Sequence, residues 1–304
     1  MIPQTDIAPS RGGQKIEPSG FVLVDKPAGL TSFQVLSPLK RLFQTRRIGH
    51  AGTLDQEATG LIIAAVGKAT RLLSHIESAN KTYVFRLHLG RETDSLEFNG
   101  KILREAPLAA RSSKDLEDIL PQFLGQQKQI PPTFSAIKIA GHRASDLARK
   151  GQEVSLHPRQ IEVFHLALQT LPPKTEFRTD FDLSCHCTKG TYIRALGRDL
   201  AKALGTIGCV SQIRRTAIGK IMVQEALAPE EIQPSHLFPP EALLSWPQME
   251  ISTSHLANLR QGKRLAFPTE FCPTRGPVFA MHEGVARTAC HWDGVWLSPE
   301  IQLG

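Results

Sequence analysis

The sequence of 304 residues has no long apolar segment and few cysteines. No apolar run approaches the ~18 residues of a membrane span, and the first twenty residues are polar, without the apolar core of a secretory signal. We therefore expect a flexible tail over residues 1–19, no membrane association and a cytoplasmic location. The cysteines are odd in number and scattered, which predicts reduced thiols rather than a disulfide framework: Cys185, Cys187, Cys209, Cys272 and Cys290.

Three common catalytic motifs are also missing. Residues 67–70 (GKAT) lack both the correctly spaced earlier glycine and the Ser/Thr after lysine that a phosphate loop requires. Strand alternation would place His186 on the face opposite Cys185 and Cys187, and no second pair of metal ligands follows at a suitable distance. A serine-hydrolase G-x-S-x-G elbow is absent. The sequence therefore predicts no bound nucleotide, no metal site and no serine-hydrolase site.

Positive charge is concentrated in the first four fifths of the chain. Lys and Arg total 36 against 29 Asp and Glu, a net charge of +7. From Trp246 onwards, five cations balance five acids and all three tryptophans occur, so we predict a boundary near 235–250. Residues 37–50 hold four cations and no acid, which favours contacts with a polyanion such as nucleic acid: Lys40, Arg41, Arg46 and Arg47.

Hydrophobic periodicity predicts strands interleaved irregularly with helices. Residues 81–90 alternate as on a half-buried strand. A helix capped by Thr31 or Ser32 would run to about Phe43 with Phe33 on its apolar face, but Pro38 means that it either kinks or begins later. Further strands are predicted at 21–25, 60–66, 161–171 and 177–187, the last two pairing across a Pro-Pro turn, and helices at 68–78, 112–120 and 191–204. This mixture indicates a mixed α/β or α+β sheet domain.

The loop in residues 46–62 (RRIGHAGTLDQEATGLI) contains the most informative acid. Glycines and a threonine bracket Asp55 between a basic stretch and a buried strand, so its carboxylate is expected to be partly shielded from water. Glu57 could form with it a pair of carboxylates of the kind that glycosidases use. Alternatively, Asp55 only caps the turn. The residues alone leave these readings open.

Six segments occur in a consistent order: GFVLVDKPAGLTSFQV (20–35), GHAGTLDQEATGLI (49–62), KTYVFRLHLGRETDSLEFNGKI (81–102), IPPTFSAIKIAGHRASDLARKGQEV (130–154), HCTKGTYIRALGRDLAKALG (186–205) and IRRTAIGK (213–220). Together they resemble the TruB-type tRNA pseudouridine synthases, in the bacterial stand-alone form. The resemblance implies an α+β fold: a catalytic domain with a curved mixed sheet flanked by helices at 20–240, and a small β-rich, PUA-like RNA-binding domain at 246–304.

The resemblance also implies the activity. Such enzymes flip a uridine of the tRNA T loop (position 55) out of its stack, break its glycosidic bond with the help of an Asp, and rejoin the base through C5. It further implies no cofactor, the T arm of tRNA as partner, no required protein partner and a monomer. The alternatives are a non-catalytic protein that helps tRNA to fold, and a guide-dependent relative.

Site residues carried over from the resemblance are the nucleophile Asp55, the active-site Tyr83 and the carboxylate-pairing Arg194. Substrate contacts are expected from His50, Lys26, Tyr192, Lys40, Arg41, Arg46 and Arg47. The sequence departs from the family pattern at Gln56-Glu57, where Pro-Leu is usual, at Ala51 in place of threonine and at Phe134 in place of tyrosine. The first departure adds a carboxylate and leaves the loop less constrained than a proline would.

Overall fold

The computed structural model describes residues 17–107, 109–135, 137–139, 141–150, 152, 155–169, 176–268 and 274–304. Most of the predicted tail, the Pro-Pro turn and Cys272 lie outside these residues. The strands are β1 (Gly20–Lys26), β2 (Ile48–Ala51), β3 (Thr59–Val66), β4 (Lys81–Leu89), β5 (Arg91–Thr93), β6 (Ile102–Glu105), β7 (Arg111–Ser112), β8 (Gly125–Gln129), β9 (Lys138–Ile139), β10 (His142–Arg143), β11 (Arg159–Leu168), β12 (Phe177–Arg178), β13 (Asp180–Cys187), β14 (Gly208–Ile218), β15 (Ile221–Met222), β16 (Gln248–Glu250), β17 (Leu265–Ala266), β18 (Gly276–His282), β19 (Val285–Trp292) and β20 (Trp296–Gln302). The helices are α1 (Leu36–Leu42), α2 (Leu73–Glu77), α3 (Ser113–Ile119), α4 (Ala144–Arg149), α5 (Ile193–Ala203), α6 (Pro240–Leu243) and α7 (Thr253–Arg260), and short 3-10 turns flank several of them.

A nine-stranded mixed sheet forms the larger part of the fold. Its order is β1-β3-β14-β4-β13-β11-β8, with β2 added to β3 and β15 to β14. Neighbouring strands are antiparallel except β14 and β3, which pair in parallel through Arg214 and Arg215. The predicted pairing of the strands near 161–171 and 177–187 is present as β11 and β13. This mixed sheet with separate helices confirms the predicted α+β class.

Strand alternation decides which face of the sheet is buried. On β4, every second residue from Lys81 to Leu89 is buried, as the sequence pattern predicts. The buried aromatic and aliphatic residues of this strand pack in one cluster with Leu196 and Leu200 of α5. The helix therefore lies on the sheet, and its first turn reaches the loop that follows β2.

A second sheet is built from residues 248–302, in the order β16-β18-β19-β20-β17. This small β-rich unit agrees with the PUA-like sheet that the resemblance implies. Phe279 and Ile301 from this sheet belong to the same buried cluster as Phe21, Leu23 and Ile63 of β1 and β3. The small sheet consequently covers part of the large one.

The first helix begins later than its N-cap pattern suggests. α1 starts at Leu36, and Phe33, predicted on its apolar face, is 63% exposed. Pro38 explains the difference, because it has no N–H to donate and is tolerated only in the first turn of a helix. A start at Thr31 or Ser32 would place Pro38 in the helix interior, and of the two outcomes that Pro38 predicts, a kink or a later start, the later start is confirmed.

Within the part of the chain that the structure describes, no helix is long and apolar enough to cross a membrane. The same residues contain no cluster of three or more His, Cys, Asp or Glu side chains suited to a metal ion. Cys185, Cys187, Cys209 and Cys290 are buried thiols.

Candidate active site

Asp55 lies in the loop between β2 and β3, and two buried cations hold this loop at its ends. The Lys26 side chain is fully buried, and its Nζ donates to the carbonyl oxygens of Gln56 at 2.9 Å and Ala58 at 2.5 Å. Arg215 donates to the carbonyls of Gly52 at 2.9 Å and Leu61 at 2.7 Å. Each buried charge thus donates to carbonyl oxygens of the loop or of the strand that follows it, and the loop is fixed to the sheet.

Asp55 and Arg194 form a bidentate ion pair. Arg194 Nη2 donates to Asp55 Oδ1 at 2.9 Å, and Arg194 Nε lies 2.8 Å from Oδ2. The guanidinium also donates to the carbonyls of Ser95 at 2.8 Å and Phe134 at 2.9 Å. The arginine side chain is 4% exposed, whereas that of Asp55 is 37% exposed. A shielded guanidinium therefore stabilises a charged carboxylate that remains open to a bound molecule.

Tyr83 lies on β4, in the register opposite Arg215 of β14 and Cys185 of β13. Its ring is buried, and this burial raises the pKa of the phenol, which the nearby Arg215 guanidinium partly opposes. The phenol is therefore neutral at physiological pH. The hydroxyl of this neutral phenol can donate a hydrogen bond.

His50 lies on β2, close to the start of the Asp55 loop. Burial lowers the pKa of this imidazole, and the charge of Arg215 lowers it further. Its Nδ1 is buried and makes no hydrogen bond to any of the described residues. A neutral ring with an unsatisfied nitrogen fits the predicted contact with a bound nucleotide.

Glu97 is an acidic neighbour of Asp55 that the sequence pattern does not single out. Burial and the nearby carboxylate of Asp55 raise the pKa of Glu97 to about 7, although Arg194 acts in the opposite direction. It belongs to the turn after β5 that also supplies the Ser95 carbonyl to Arg194, and Thr93 Oγ1 donates to its backbone oxygen at 2.7 Å. The segment 81–102 carries Glu92, Asp94 and Glu97 after the tyrosine strand, and the sequence alone does not show which of these acids lies near Asp55.

The other predicted contacts lie at the start of α5, on α1 and on the segment after α1. Tyr192 is the N-cap residue of α5 and is half-buried. The basic residues predicted to bind RNA lie on α1 and the segment after it rather than on the loop of Asp55: Lys40, Arg41, Arg46 and Arg47. Among them, Arg47 lies 3.6 Å from a carboxylate oxygen of Glu17, and Lys40 lies over the ring of Phe33.

The departure at Gln56-Glu57 has a structural counterpart. Gln56 Nε2 donates to the carbonyl of Gly29 at 3.0 Å, and the Gly29 N–H donates to the carbonyl of Gln56 at 3.0 Å. This reciprocal pair constrains the loop where a proline is absent. Glu57 is exposed to solvent, whereas Asp55 is held by Arg194, so the two acids differ sharply in surroundings.

Comparisons with known proteins agree with this geometry. Residues 40–193 match the TruB family pseudouridylate synthase (N terminal domain). The tRNA pseudouridine synthase B of Parasynechococcus marenigrum (strain WH8102) is 40% identical over 252 residues, which cover 82% of this chain and 85% of that protein. The protein of the same name from Psychrobacter cryohalolentis is 36% identical over 275 residues, which cover 86% and 75%.

Solved structures show the same fold at lower identity. An H/ACA RNP bound to a substrate RNA containing 2'-deoxyuridine includes a chain with a TM-score of 0.65 and 19% identity, covering 96% of this chain and 92% of that one. A chain of a Cbf5-Nop10-Gar1 complex gives a TM-score of 0.64 and 21% identity, with coverage of 93% and 84%. Sequence, fold and the paired carboxylate and guanidinium agree: the chain is a member of the TruB family of pseudouridylate synthases.

Proposed function

We propose that this chain isomerises uridine to pseudouridine in the T loop of tRNA. The observation that carries the proposal is the bidentate pair of Asp55 and Arg194, in which the guanidinium is shielded and the Asp55 carboxylate stays accessible. Two of its relatives bear the name tRNA pseudouridine synthase B, which supports tRNA as the substrate. The family's reaction exchanges an N1–C1′ bond for a C5–C1′ bond and displaces the hydrogen of C5.

Each residue has a defined task in this proposal. The target base is flipped out of the T loop at a cost of a few kcal/mol, and the ring of Tyr83 offers it a stacking surface worth ~1–3 kcal/mol. Asp55 acts as the covalent catalyst while Arg194 holds its carboxylate in one orientation. The cations of α1 and the following segment hold the phosphates of the RNA.

The proposal extends to organisation and partners. Residues 20–240 would act as the catalytic domain, and residues 246–304 would add RNA contacts. We expect the chain to work as a monomer, without a guide RNA or partner protein, because it contains both the Asp55–Arg194 pair and its own basic segment. An assay with the purified chain alone therefore tests this part of the proposal directly.

The test uses an unmodified T-arm stem-loop that carries tritium at uridine C5. Because the new bond forms at C5, release of tritium to water counts turnovers. We expect stoichiometric release by the purified chain and none by Asp55→Asn, which should still bind the RNA.

Glu57→Gln is the matched control, since Glu57 is an exposed acid of the same loop. It should release tritium at close to the wild-type rate. Equal loss in both variants would favour a pair of carboxylates, as in a glycosidase, and release by Asp55→Asn at the wild-type rate would remove Asp55 from the chemistry.

A further inference from the structure

The two members of the Asp55–Arg194 pair come from segments 139 residues apart in the chain. Each segment is held by one buried and uncharged side chain from elsewhere in the chain, which hydrogen-bonds both the N–H and the C=O of a single backbone residue of that segment. We infer that these two side chains, Ser32 and Gln129, are positioning residues that set the geometry of the pair. The inference rests on the proposed function, because it concerns the groups that carry out that reaction.

Ser32 acts on the segment that carries Asp55. Its side chain is 2% exposed, its Oγ accepts a hydrogen bond from Leu54 N at 2.8 Å, and the hydroxyl donates to Leu54 O at 3.0 Å. A hydroxyl has one donor and two acceptor sites, so it can make both bonds at once. Leu54 directly precedes Asp55, and its backbone is therefore fixed in position and in rotation by Ser32.

Gln129 acts in the same way on the segment that carries Arg194. This residue ends β8 and is 3% exposed. Its Oε1 accepts from Tyr192 N at 2.8 Å, and its Nε2 donates to Tyr192 O at 3.2 Å. The carbonyl of Tyr192 also accepts the hydrogen bond of Leu196 N at 3.0 Å, which opens α5. Gln129 thus fixes the point at which the helix starts, two residues before Arg194.

The pair depends on these fixed backbones because both of its contacts must form at once. The two distances, 2.8 Å and 2.9 Å, leave little room, and a displacement of ~1 Å would break one of them. Arg194 has further bonds to the carbonyls of Ser95 and Phe134, whereas the half-exposed Asp55 side chain has little packing of its own. The orientation of the Asp55 carboxylate is therefore set by the backbone of the preceding residue, Leu54.

The variants Ser32→Ala and Gln129→Met remove these bonds with little change in volume. In the tritium-release assay we expect kcat to fall about 10- to 100-fold and KM to change less than about threefold, because the basic residues expected to hold the RNA phosphates are unchanged. Gln129→Glu keeps the acceptor but donates only when protonated. Its kcat, relative to wild type, should therefore rise as the pH falls.

Three matched controls separate positioning from loss of stability. Gln126→Met changes the same residue type at an exposed place on β8, and Thr31→Ala changes the exposed neighbour of Ser32. Leu256→Ala removes packing between α7 and the small sheet. All three should keep the wild-type kcat at a temperature where they are folded. A kcat loss in Leu256→Ala as large as in Ser32→Ala, or a rise in KM alone in the two test variants, would overturn the inference.

A second readout is independent of turnover. The Nε–H signal of Arg194 in ¹⁵N NMR spectra reports its bond to the Asp55 carboxylate, and Asp55→Asn defines the unpaired position of this signal. We expect the signal to move towards that position in Ser32→Ala and Gln129→Met, and to stay in place in the controls. A signal that stays in place in both test variants would refute the positioning role, whether or not the wild-type chain releases tritium. Absence of tritium release by the wild-type chain would refute only the proposed function.

Discussion

Replacing Glu97 by glutamine should change how the stability of the protein depends on pH. Burial and the nearby Asp55 raise the pKa of Glu97 from an ordinary value of 4.5 to about 7. Between these two pH values the folded chain binds a proton that the unfolded chain has lost. The stabilising contribution of the protonated group is therefore complete below pH 4.5, and it disappears as the pH rises through about 7.

The size of the effect follows from the shift. A change of about 2.5 pH units corresponds to at most about 3 kcal/mol, at 1.36 kcal/mol for each unit. Glu97 is only partly shielded from solvent, so screening should reduce the effect to about 1–2 kcal/mol. The glutamine side chain in Glu97→Gln is neutral at every pH, so this variant does not lose stability as Glu97 ionises. Its free energy of unfolding, relative to wild type, should accordingly increase by that amount between pH 5 and pH 8.

Urea unfolding at pH 5, 6, 7 and 8 measures this difference. Glu105→Gln is the matched control, because Glu105 lies on the same hairpin with an exposed side chain that pairs with Arg91 at 3.2 Å. Its stability relative to wild type should be nearly constant above pH 5. If the free energy of unfolding of Glu97→Gln relative to wild type did not change with pH, or changed as much as that of Glu105→Gln, Glu97 would not be shielded as described.

Three other perturbations have defined outcomes. Gly60→Ala should lower the free energy of unfolding by about 2–4 kcal/mol in urea titrations, because Gly60 has a φ of +103° and a Cβ there would meet the Arg215 carbonyl. Gly29 also has a positive φ but lies in open space, so Gly29→Ala should lower the free energy of unfolding by only about 1 kcal/mol. Equal losses in the two variants would contradict this account. Tyr83→Phe should keep the packed ring and bind RNA but lose at least tenfold in tritium release, and normal release would remove the hydroxyl from the chemistry. Replacing the four basic residues of 37–50 by glutamine should reduce the slope of log binding constant against log salt concentration by about 3–4 units. The replaced residues are Lys40, Arg41, Arg46 and Arg47. An unchanged slope would show that the RNA binds at another surface.

Local periodicity predicted the elements better than their arrangement. The alternation around Tyr83 and the helical spacing after Thr191 correctly identified β4 and α5, because side chains on a single element report which face is buried. The insertion of β14 between β3 and β4 was not predictable in this way. Strand pairing depends on contacts between distant segments, about which the pattern within one strand carries no information.

For the candidate site, the resemblance supplied Asp55, Tyr83 and Arg194, and the structure shows Asp55 and Arg194 in direct contact. The supporting residues were harder to find. Arg215 reads as one more cation of a basic run, yet it is almost fully buried against backbone carbonyls. Ser32 was considered only as a helix cap. Their roles depend on unsatisfied backbone groups in other segments, which a sequence does not display.

The buried cluster that Phe21 and Leu23 share with Phe279 and Ile301 has a consequence for biosynthesis. When the ribosome has made only the first 245 residues, this face of β1 and β3 still lacks the part of its cover that Phe279 and Ile301 provide. A nascent chain at that stage exposes an apolar surface that chaperones and proteases recognise. We therefore expect a chain that stops near residue 245 to be a target for degradation.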